Sequence, residues 1–289
     1  MTLAAPARYA VVGNPVAHSR SPRIHTLFAA QAGKTLVYEK LAAPLDGFTA
    51  TVADFFAAGG LGLNVTVPFK LEAHALAAQH LSPRARAAGA VNTLWRQDGA
   101  LHGCNTDGVG LVADLKRLAA PLAGARVLLV GAGGASRGAL GPLLDAGCAR
   151  VRIANRTDAR AAQLLSEWQA QGGRDARLDA TGLAGAGIAG GWDLVINATA
   201  SSLADAAPEL PAGLYAAGAH AYDMMYGAAP TPFMRQARAD GAAQAHDGLG
   251  MLVGQAAESF HIWHGLRPDP LPVLAALRED LARPAEVPA

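Results

Sequence analysis

The chain has 289 residues, a formal net charge of +1, 51% hydrophobic and 16% charged residues, and only two cysteines. The length suggests two domains of ordinary size or one large one, and the balanced charge excludes a broad surface for nucleic acid or an anionic membrane. No run of about 18 apolar residues lacks glycine, proline or charge, which excludes a membrane-spanning helix. Because Cys104 and Cys148 cannot form a disulfide framework, we expect a cytoplasmic protein.

Lysine is rare in this chain. Of the 24 basic residues only four are lysines, namely Lys34, Lys40, Lys70 and Lys116. A generic surface cation here is therefore usually an arginine. A lysine within a polar motif becomes a candidate for chemistry that arginine, which does not release its proton, cannot perform.

Short apolar runs alternate with alanine-rich stretches along most of the chain, which indicates an α/β fold with mainly parallel sheets. The first strand is predicted over 9–12, and Ser21 is predicted to cap a helix that has Pro22 at its first position. Further elements are predicted in order: a strand over 35–41, a helix over 46–58, a strand over 61–65, a helix from 82 and a hairpin over 91–104.

The pattern changes near residue 107, where a connecting helix over 108–119 precedes a new α/β unit. We therefore expect a first domain over 1–107 and a Rossmann-like domain over 108–248. The last helices, within 249–289, are expected to return to the first domain and complete it.

A nucleotide site is predicted at the start of the second unit. A buried strand over 127–130 leads into a glycine-rich turn, Gly131 to Gly138, and then a helix. Such a turn lets the backbone approach a pyrophosphate, and the helix N-terminus supplies free N–H groups. The match to the Gly-x-Gly-x-x-Gly pattern is imperfect, because its third glycine falls on Ser136.

The residues after the next strand indicate which dinucleotide binds. NAD sites usually place an acidic residue there for the ribose hydroxyl. This strand ends instead in Asn155, Arg156 and Thr157, and Arg160 follows one helical turn later. Two arginines suit a 2′-phosphate, so we predict NADP as the cofactor.

Polar residues also gather at strand ends and helix starts in the first domain. Ser19 and Ser21 stand at a helix start, a suitable place for a carboxylate. Amide, hydroxyl, lysine and aspartate groups occur in the segments 64–70, 89–93 and 105–108. Taken singly each is typical of a cap or turn, but together they fit a small polyhydroxylated acid.

The chain resembles the shikimate dehydrogenase family over essentially its whole length. The matching segments are 19–22, 64–70, 89–93, 105–110, 131–138, 155–157, 222–226 and 247–257. The resemblance implies reduction of 3-dehydroshikimate to shikimate with NADPH, on the route to aromatic amino acids. It also implies a substrate domain and a Rossmann-like domain that flank a cleft. Two positions depart from the family pattern: Arg20 replaces the more usual lysine, and Ser202 stands where glycine is common.

The resemblance also implies roles for individual residues. Lys70 would be the catalytic residue, paired with Asp107. The substrate carboxylate would be held by Ser19, Ser21 and Tyr226, and the ring hydroxyls by Thr66, Asn92, Asp107 and Gln255. The pyrophosphate would lie on Gly131, Ala132, Gly133, Gly134 and Ala135, and the adenosine phosphate on Asn155, Arg156, Thr157 and Arg160. The nicotinamide would lie near Met224 and Gly248.

Alternatives stay open at this point. Lys70 can donate a proton to the developing alkoxide or hold a positive charge beside it; otherwise it is a surface lysine after a strand. The chain could be a quinate/shikimate dehydrogenase of broader specificity, a ligand-sensing relative without turnover, or a structural partner protein. No metal site is expected, because no third ligand accompanies His261 and His264. Homodimer formation stays open.

Overall fold

The computed structural model describes residues 6–172, 175–201 and 205–283. Two β-sheets with helices on their faces form the fold, which confirms the predicted α/β class. No helix within these ranges is long and apolar enough to cross a bilayer.

The first sheet has five strands in the order β2-β1-β3-β4-β5. β1 pairs in parallel with β2 and β3, whereas β3, β4 and β5 pair antiparallel. Its elements in chain order are β1 (Ala7–Gly13), α1 (Ser21–Gln31), β2 (Leu36–Ala42), α2 (Phe48–Ala57), β3 (Gly60–Val65), α3 (Lys70–Leu76), α4 (Pro83–Ala88), β4 (Thr93–Gln97) and β5 (Ala100–Cys104).

Alternate residues of β1 face two separate apolar layers, as strand geometry requires. Ala10 and Val12 belong to the core that α2 and α3 cover, where Phe48 stacks on Phe69 with ring centroids 4.8 Å apart. Tyr9 and Val11 face the opposite side. Both faces of β1 are therefore buried, and its run from Tyr9 to Val12 is apolar.

The second sheet consists of six parallel strands in the order β11-β10-β9-β6-β7-β8. This is the order of dinucleotide-binding folds, in which ligands bind where the strand order reverses, here between β6 and β9. Its elements are α5 (Asp107–Arg117), β6 (Arg126–Val130), α6 (Gly134–Asp145), β7 (Arg150–Asn155), α7 (Asp158–Gly172), β8 (Leu178–Gly182), β9 (Trp192–Asn197), β10 (Tyr215–Asp223), α8 (Pro232–Ala239) and β11 (Gln244–Asp247).

Two last helices, α9 (Leu249–His264) and α10 (Pro270–Ala282), follow the second sheet in sequence but pack beside the first. Val253 and Phe260 of α9 share a buried cluster with Ile24 and Phe28 of α1. Trp263 stacks on Tyr9 of β1 with ring centroids 4.9 Å apart. α9 therefore covers the face of the first sheet that α2 and α3 leave open.

The start of α1 differs from the prediction that Ser21 caps it. The helix begins at Ser21 itself, its N-cap is Arg20, and no side-chain hydrogen bond caps it. The reason is that Ser21 already has helical conformation, and its own N–H points at the hydroxyl of Ser19, 3.3 Å away. The predicted departure at Ser202 lies outside the described residues, as do residues 284–289 of the last predicted helical region.

Candidate active site

Lys70 and Asp107 meet at the centre of the candidate site. Lys70 is the first residue of α3, directly after the turn that follows β3, and Asp107 is the first residue of α5. The Nζ of Lys70 lies 2.6 Å from Oδ2 of Asp107. The two side chains are 16% and 8% exposed, so the ion pair is largely shielded yet reachable. Asp107 also lies in the first turn of α5, at the positive end of the helix dipole.

Asn92 connects this ion pair to the surrounding elements. Its Nδ2 donates to Oδ1 of Asp107 at 2.8 Å and to Oγ1 of Thr106 at 2.9 Å. Its Oδ1 accepts from the backbone N–H of Thr106 at 2.9 Å. Because Asn92 is buried, these hydrogen bonds fix its amide orientation and, through it, the carboxylate of Asp107.

α9 brings Gln255 to the same cluster from the far end of the chain. The Oε1 of Gln255 lies 3.4 Å from Nδ2 of Asn92, and its Nε2 donates to the carbonyl of Leu252 at 2.9 Å. Gln255 is 9% exposed. Lys70, Asn92, Asp107 and Gln255, separated by up to 185 positions, thus form one contiguous polar cluster.

Ser259, one turn after Gln255, is a member of this cluster that the sequence-based prediction missed. Its hydroxyl lies 2.8 Å from Oγ1 of Thr93 and accepts from Nδ2 of Asn64 at 3.0 Å. It also donates to the carbonyl of Gln255 at 3.1 Å. Its spacing of four from Gln255, which places both on one helix face, was the available signal.

Ser19 and Ser21 lie together at the start of α1. Their hydroxyl oxygens are 3.2 Å apart. Tyr226 packs against the apolar cluster that contains Ile24 of α1. Burial raises the pKa of its phenol, and the positive charge of Arg20 partly offsets that rise. No direct hydrogen bond among the described residues joins either serine to the cluster around Lys70.

Thr66 directly follows β3 and lies in the turn that leads to the start of α3. Its N–H donates to the carbonyl of Val12 at 2.9 Å, and its carbonyl accepts from the N–H of Phe69 at 3.1 Å. A Cβ on Gly13 would lie 2.4 Å from Cγ2 of Thr66. Glycine at position 13 therefore makes room for this side chain.

The glycine-rich turn lies at the carboxyl end of β6, next to β9. Gly131 has a φ of +114°, and a Cβ there would lie 3.2 Å from the backbone of Ala198, so only glycine fits comfortably. A Cβ on Gly133 would meet nothing within 4 Å. That open space, facing the N–H groups of the first turn of α6, fits a pyrophosphate. Ala132, Gly134 and Ala135 complete the turn and the start of the helix.

Arg156 and Arg160 are exposed at the carboxyl edge of β7 and the start of α7. Neither forms an ion pair with any described residue, whereas Arg150 and Arg152 of β7 both bind Asp179. Asn155 shapes the turn by donating from its Nδ2 to the carbonyl of Thr157 at 3.0 Å. The two exposed guanidinium groups fit a phosphate on the adenosine ribose.

Met224 and Gly248 are in close backbone contact. A Cβ on Gly248 would lie 2.2 Å from the carbonyl oxygen of Met224, and the N–H of Gly248 donates to the carbonyl of Met225 at 3.0 Å. The N–H of Met224 donates to the carbonyl of Asn197, the last residue of β9, at 2.9 Å. These contacts hold Met224 at the carboxyl edge of the second sheet.

The candidate site brings the glycine turn and the ion pair side by side. A Cβ on Gly134 would lie 3.4 Å from Cδ of Lys70. The start of α6 and the stem of Lys70 are therefore direct neighbours. The described residues contain no group of three or more side chains that could hold a metal ion.

Three family models match the chain. The shikimate dehydrogenase substrate binding domain matches residues 11–94. The model described as shikimate / quinate 5-dehydrogenase matches residues 114–204, and the shikimate 5'-dehydrogenase C-terminal domain matches residues 248–278. The three matches follow the order of the two sheets and α9.

Relatives of known name are similar over nearly the full chain. The shikimate dehydrogenase (NADP(+)) of Bordetella petrii is 69% identical and covers 95% of this chain and 96% of its own length. That of Aromatoleum aromaticum is 57% identical, with 95% and 98% covered. A solved structure of shikimate 5-dehydrogenase from Thermus thermophilus, in complex with NADP(H) and shikimate, is 36% identical with a TM-score of 0.82, covering 95% of this chain and 100% of that one.

Proposed function

The chain belongs to the shikimate dehydrogenase family, and on that premise we propose that Lys70 and Asp107 are the catalytic pair of an NADP-dependent enzyme that reduces 3-dehydroshikimate to shikimate. The enzyme is an oxidoreductase of aromatic amino acid biosynthesis. The observation that supports the assignment best is the ion pair of 2.6 Å whose lysine stem borders Gly134, the first residue of the cofactor helix.

We assign the substrate contacts by chemistry. Ser19 and Ser21, at the N-terminus of α1, offer hydroxyl and N–H donors to a carboxylate, and the phenol of Tyr226 adds another donor. The amides of Asn92 and Gln255, the hydroxyl of Thr66 and the carboxylate of Asp107 offer both donors and acceptors. Such a set suits ring hydroxyls, each of which donates one hydrogen bond and accepts others.

The proton chemistry follows from the position of Lys70. Bound NADPH supplies the hydride that reduces the ketone. Lys70 donates a proton from Nζ to the developing alkoxide, or stabilises that oxygen by its charge until the proton arrives. Asp107 holds the ammonium group in place at 2.6 Å. In the oxidative direction the neutral amine of Lys70 accepts the proton of the substrate hydroxyl.

The cofactor contacts complete the proposal. Gly131, Ala132, Gly133, Gly134 and Ala135 would hold the pyrophosphate. Asn155, Arg156, Thr157 and Arg160 would bind the adenosine end with its 2′-phosphate, and Met224 and Gly248 would border the nicotinamide. The dipole of α6 and the two exposed arginines support this orientation by their charge.

The division of the chain is part of the proposal. We assign residues 1–107 with 249–289 to the substrate domain, and 108–248 to the cofactor domain. The packing of α9 against both α1 and the first sheet supports this assignment. We also propose a cytoplasmic location, which the two unpaired, buried cysteines support.

A homodimer is the assembly that we propose to test first. β2 is an edge strand of the first sheet, and Val37 on it is 39% exposed, so its unpaired backbone edge could join a second copy. Sedimentation of the purified enzyme at several concentrations checks this. A monomer at every concentration would remove the dimer from the proposal.

The decisive experiment is turnover. Purified enzyme is mixed with NADP⁺ and shikimate, and the absorbance of the reduced nicotinamide is followed. Parallel assays with quinate, and with NAD⁺ in place of NADP⁺, measure specificity. We expect rapid reduction of NADP⁺ with shikimate and much slower reduction in the other assays. No turnover with shikimate would overturn the proposed function.

A further inference from the structure

Asn105 lies beside the catalytic pair without belonging to it. Its side chain is buried, with 2% of the residue exposed. Its Nδ2 donates to the carbonyl of Ala90 at 3.1 Å, and its Oδ1 accepts from the backbone N–H of Asp107 at 3.1 Å. The amide of Asn105 therefore joins the segment 90–92 to the first residue of α5.

The segment 90–92 itself touches both catalytic residues. The N–H of Val91 donates to the carbonyl of Lys70 at 2.9 Å, and the side chain of Asn92 donates to the carboxylate of Asp107 at 2.8 Å. This segment is therefore hydrogen-bonded to both residues of the ion pair. Asn105 links the same segment to the backbone of Asp107.

The cofactor helix α6 packs directly on this arrangement. A Cβ on Gly138 would lie 2.7 Å from Oδ1 and 3.2 Å from Nδ2 of Asn105. Gly134, one helical turn earlier, would bring a Cβ to 3.4 Å from Cδ of Lys70. Two glycines at i and i+4 thus let one helix face lie against both the lysine stem and the Asn105 amide.

We propose that Asn105 is a positioning residue that sets the place of Asp107 relative to Lys70, and that Gly138 makes the cofactor helix part of the same support. Displacement of α6 would then be transmitted to the ion pair through the Asn105 amide. The inference rests on the proposed function, because it concerns the pair that carries the proton chemistry.

The chemistry of the contact requires an amide. Asn105 donates through one atom and accepts through the other, which neither an ionised aspartate nor alanine can do. Asn105→Asp keeps the shape and the acceptor but loses the donor to Ala90, and it adds a negative charge beside Asp107. Both changes disturb the pair.

The first test compares Asn105→Ala and Asn105→Asp with Gln31→Ala. Gln31 is a matched control, because its exposed side chain also donates to one backbone carbonyl and accepts from one backbone N–H, both of Asp269. We expect both Asn105 variants to lower kcat about tenfold to 100-fold and to shift the pH profile of kcat. The KM for NADP⁺ should change less than twofold, and Gln31→Ala should behave as wild type.

The second test uses the glycines of α6. Gly138→Ala forces the Asn105 amide to move, whereas Gly141→Ala on the same helix meets nothing within 4 Å. We expect the first variant to reproduce the shifted pH profile of Asn105→Ala and the second to retain the wild-type profile. Equal pH profiles of kcat in Gly138→Ala and Gly141→Ala would overturn the role of Gly138.

A third measurement does not depend on turnover. Since the chain has only four lysines, the side-chain resonances of Lys70 can be assigned and titrated by NMR in wild type and in Asn105→Ala. We expect different titration midpoints. An unchanged midpoint together with unchanged kcat would overturn the positioning role, while an enzyme inactive with shikimate but with a shifted midpoint would sink only the proposed function.

Discussion

The phenol of Tyr222 in β10 donates a hydrogen bond of 2.7 Å to the carboxylate of Asp114 in α5. Both residues are buried, and burial raises the pKa of Tyr222 well above its ordinary value, with the charge of Asp114 adding to the rise. Asp114 also accepts from Nε of Arg117 at 2.7 Å. A Cβ on Gly250 would lie 2.0 Å from this carboxylate, so the second sheet, α5 and α9 meet at one buried charge.

Tyr222→Phe tests how much the hydrogen bond between Tyr222 and Asp114 contributes to the stability of the fold. The variant leaves the Asp114 carboxylate short of one buried donor, so we expect the free energy of unfolding to fall by about 1–3 kcal/mol. Chemical denaturation measures it. Tyr215→Phe in the same strand is the control, because Tyr215 makes no side-chain hydrogen bond within the described ranges. An equal loss in both variants would contradict the role of the hydrogen bond.

Lys70→Ala tests the proton donor. Removal of a general acid lowers kcat by about 10²- to 10⁴-fold, while the KM for shikimate should change little because other residues hold the substrate. Steady-state kinetics with shikimate and NADP⁺ give both constants. Lys116→Ala, at an exposed position of α5, is the control and should keep the wild-type kcat. A near-normal kcat in Lys70→Ala would remove Lys70 from the chemistry.

Arg156→Ala tests the choice of cofactor. Loss of a charge-assisted contact to the 2′-phosphate should reduce kcat/KM for NADP⁺ about tenfold to 100-fold and leave kcat/KM for NAD⁺ nearly unchanged. The measured quantity is the ratio of the two values. Arg235→Ala, which removes an exposed arginine from α8, should leave the ratio as it is. An unaltered ratio in Arg156→Ala would show that the phosphate binds elsewhere.

His25 makes stability depend on pH. The residue is fully buried and stacks on Tyr38 with ring centroids 4.4 Å apart; burial, with the charge of His264 adding to it, lowers the pKa of His25 from 6.5 to about 3. The unfolded chain takes up a proton near pH 6.5, whereas the folded chain does not until about pH 3. Stability therefore falls as pH falls through this window, by about 2 kcal/mol between pH 6.5 and 5.

His25→Leu should flatten that slope. Free energies of unfolding measured from pH 7 to 4 for wild type, His25→Leu and the exposed control His18→Gln give the comparison. His264, whose pKa burial lowers to about 4, contributes a residual slope of the same sign. Parallel pH curves for wild type and His25→Leu would refute the assignment to His25.

Local patterns in the sequence predicted the first two strands of the second sheet, β6 and β7, whereas its other four strands were not predicted. The apolar run Val127 to Val130, followed by glycines, predicts a buried strand and a tight turn. This prediction needs only the properties of residues that are neighbours in the sequence. Boundaries shifted only slightly: α5 begins at Asp107 rather than 108, and α2 begins at Phe48 rather than 46. Such ends depend on the conformation of single residues, as at Ser21.

Long-range contacts were harder to predict. Nothing local to Ser259 says that its hydroxyl will meet Asn64 and Thr93, because those contacts arise only when α9 crosses the first sheet. The meeting of Gln255 with Asn92 was implied by the family resemblance rather than by spacing. The packing of Gly138 against Asn105 depends on how two elements from different sheets approach, which periodicity does not encode.

The position of α9 in the chain also bears on synthesis. The 144 residues between Cys104, which ends the first sheet, and Leu249, which begins α9, must be translated before Tyr9 and Val11 gain their cover. At ordinary elongation rates this takes roughly 7 to 30 s. During that interval the nascent chain lacks the helix whose Trp263 packs on Tyr9, so the first sheet can be completed only after the second has been synthesised.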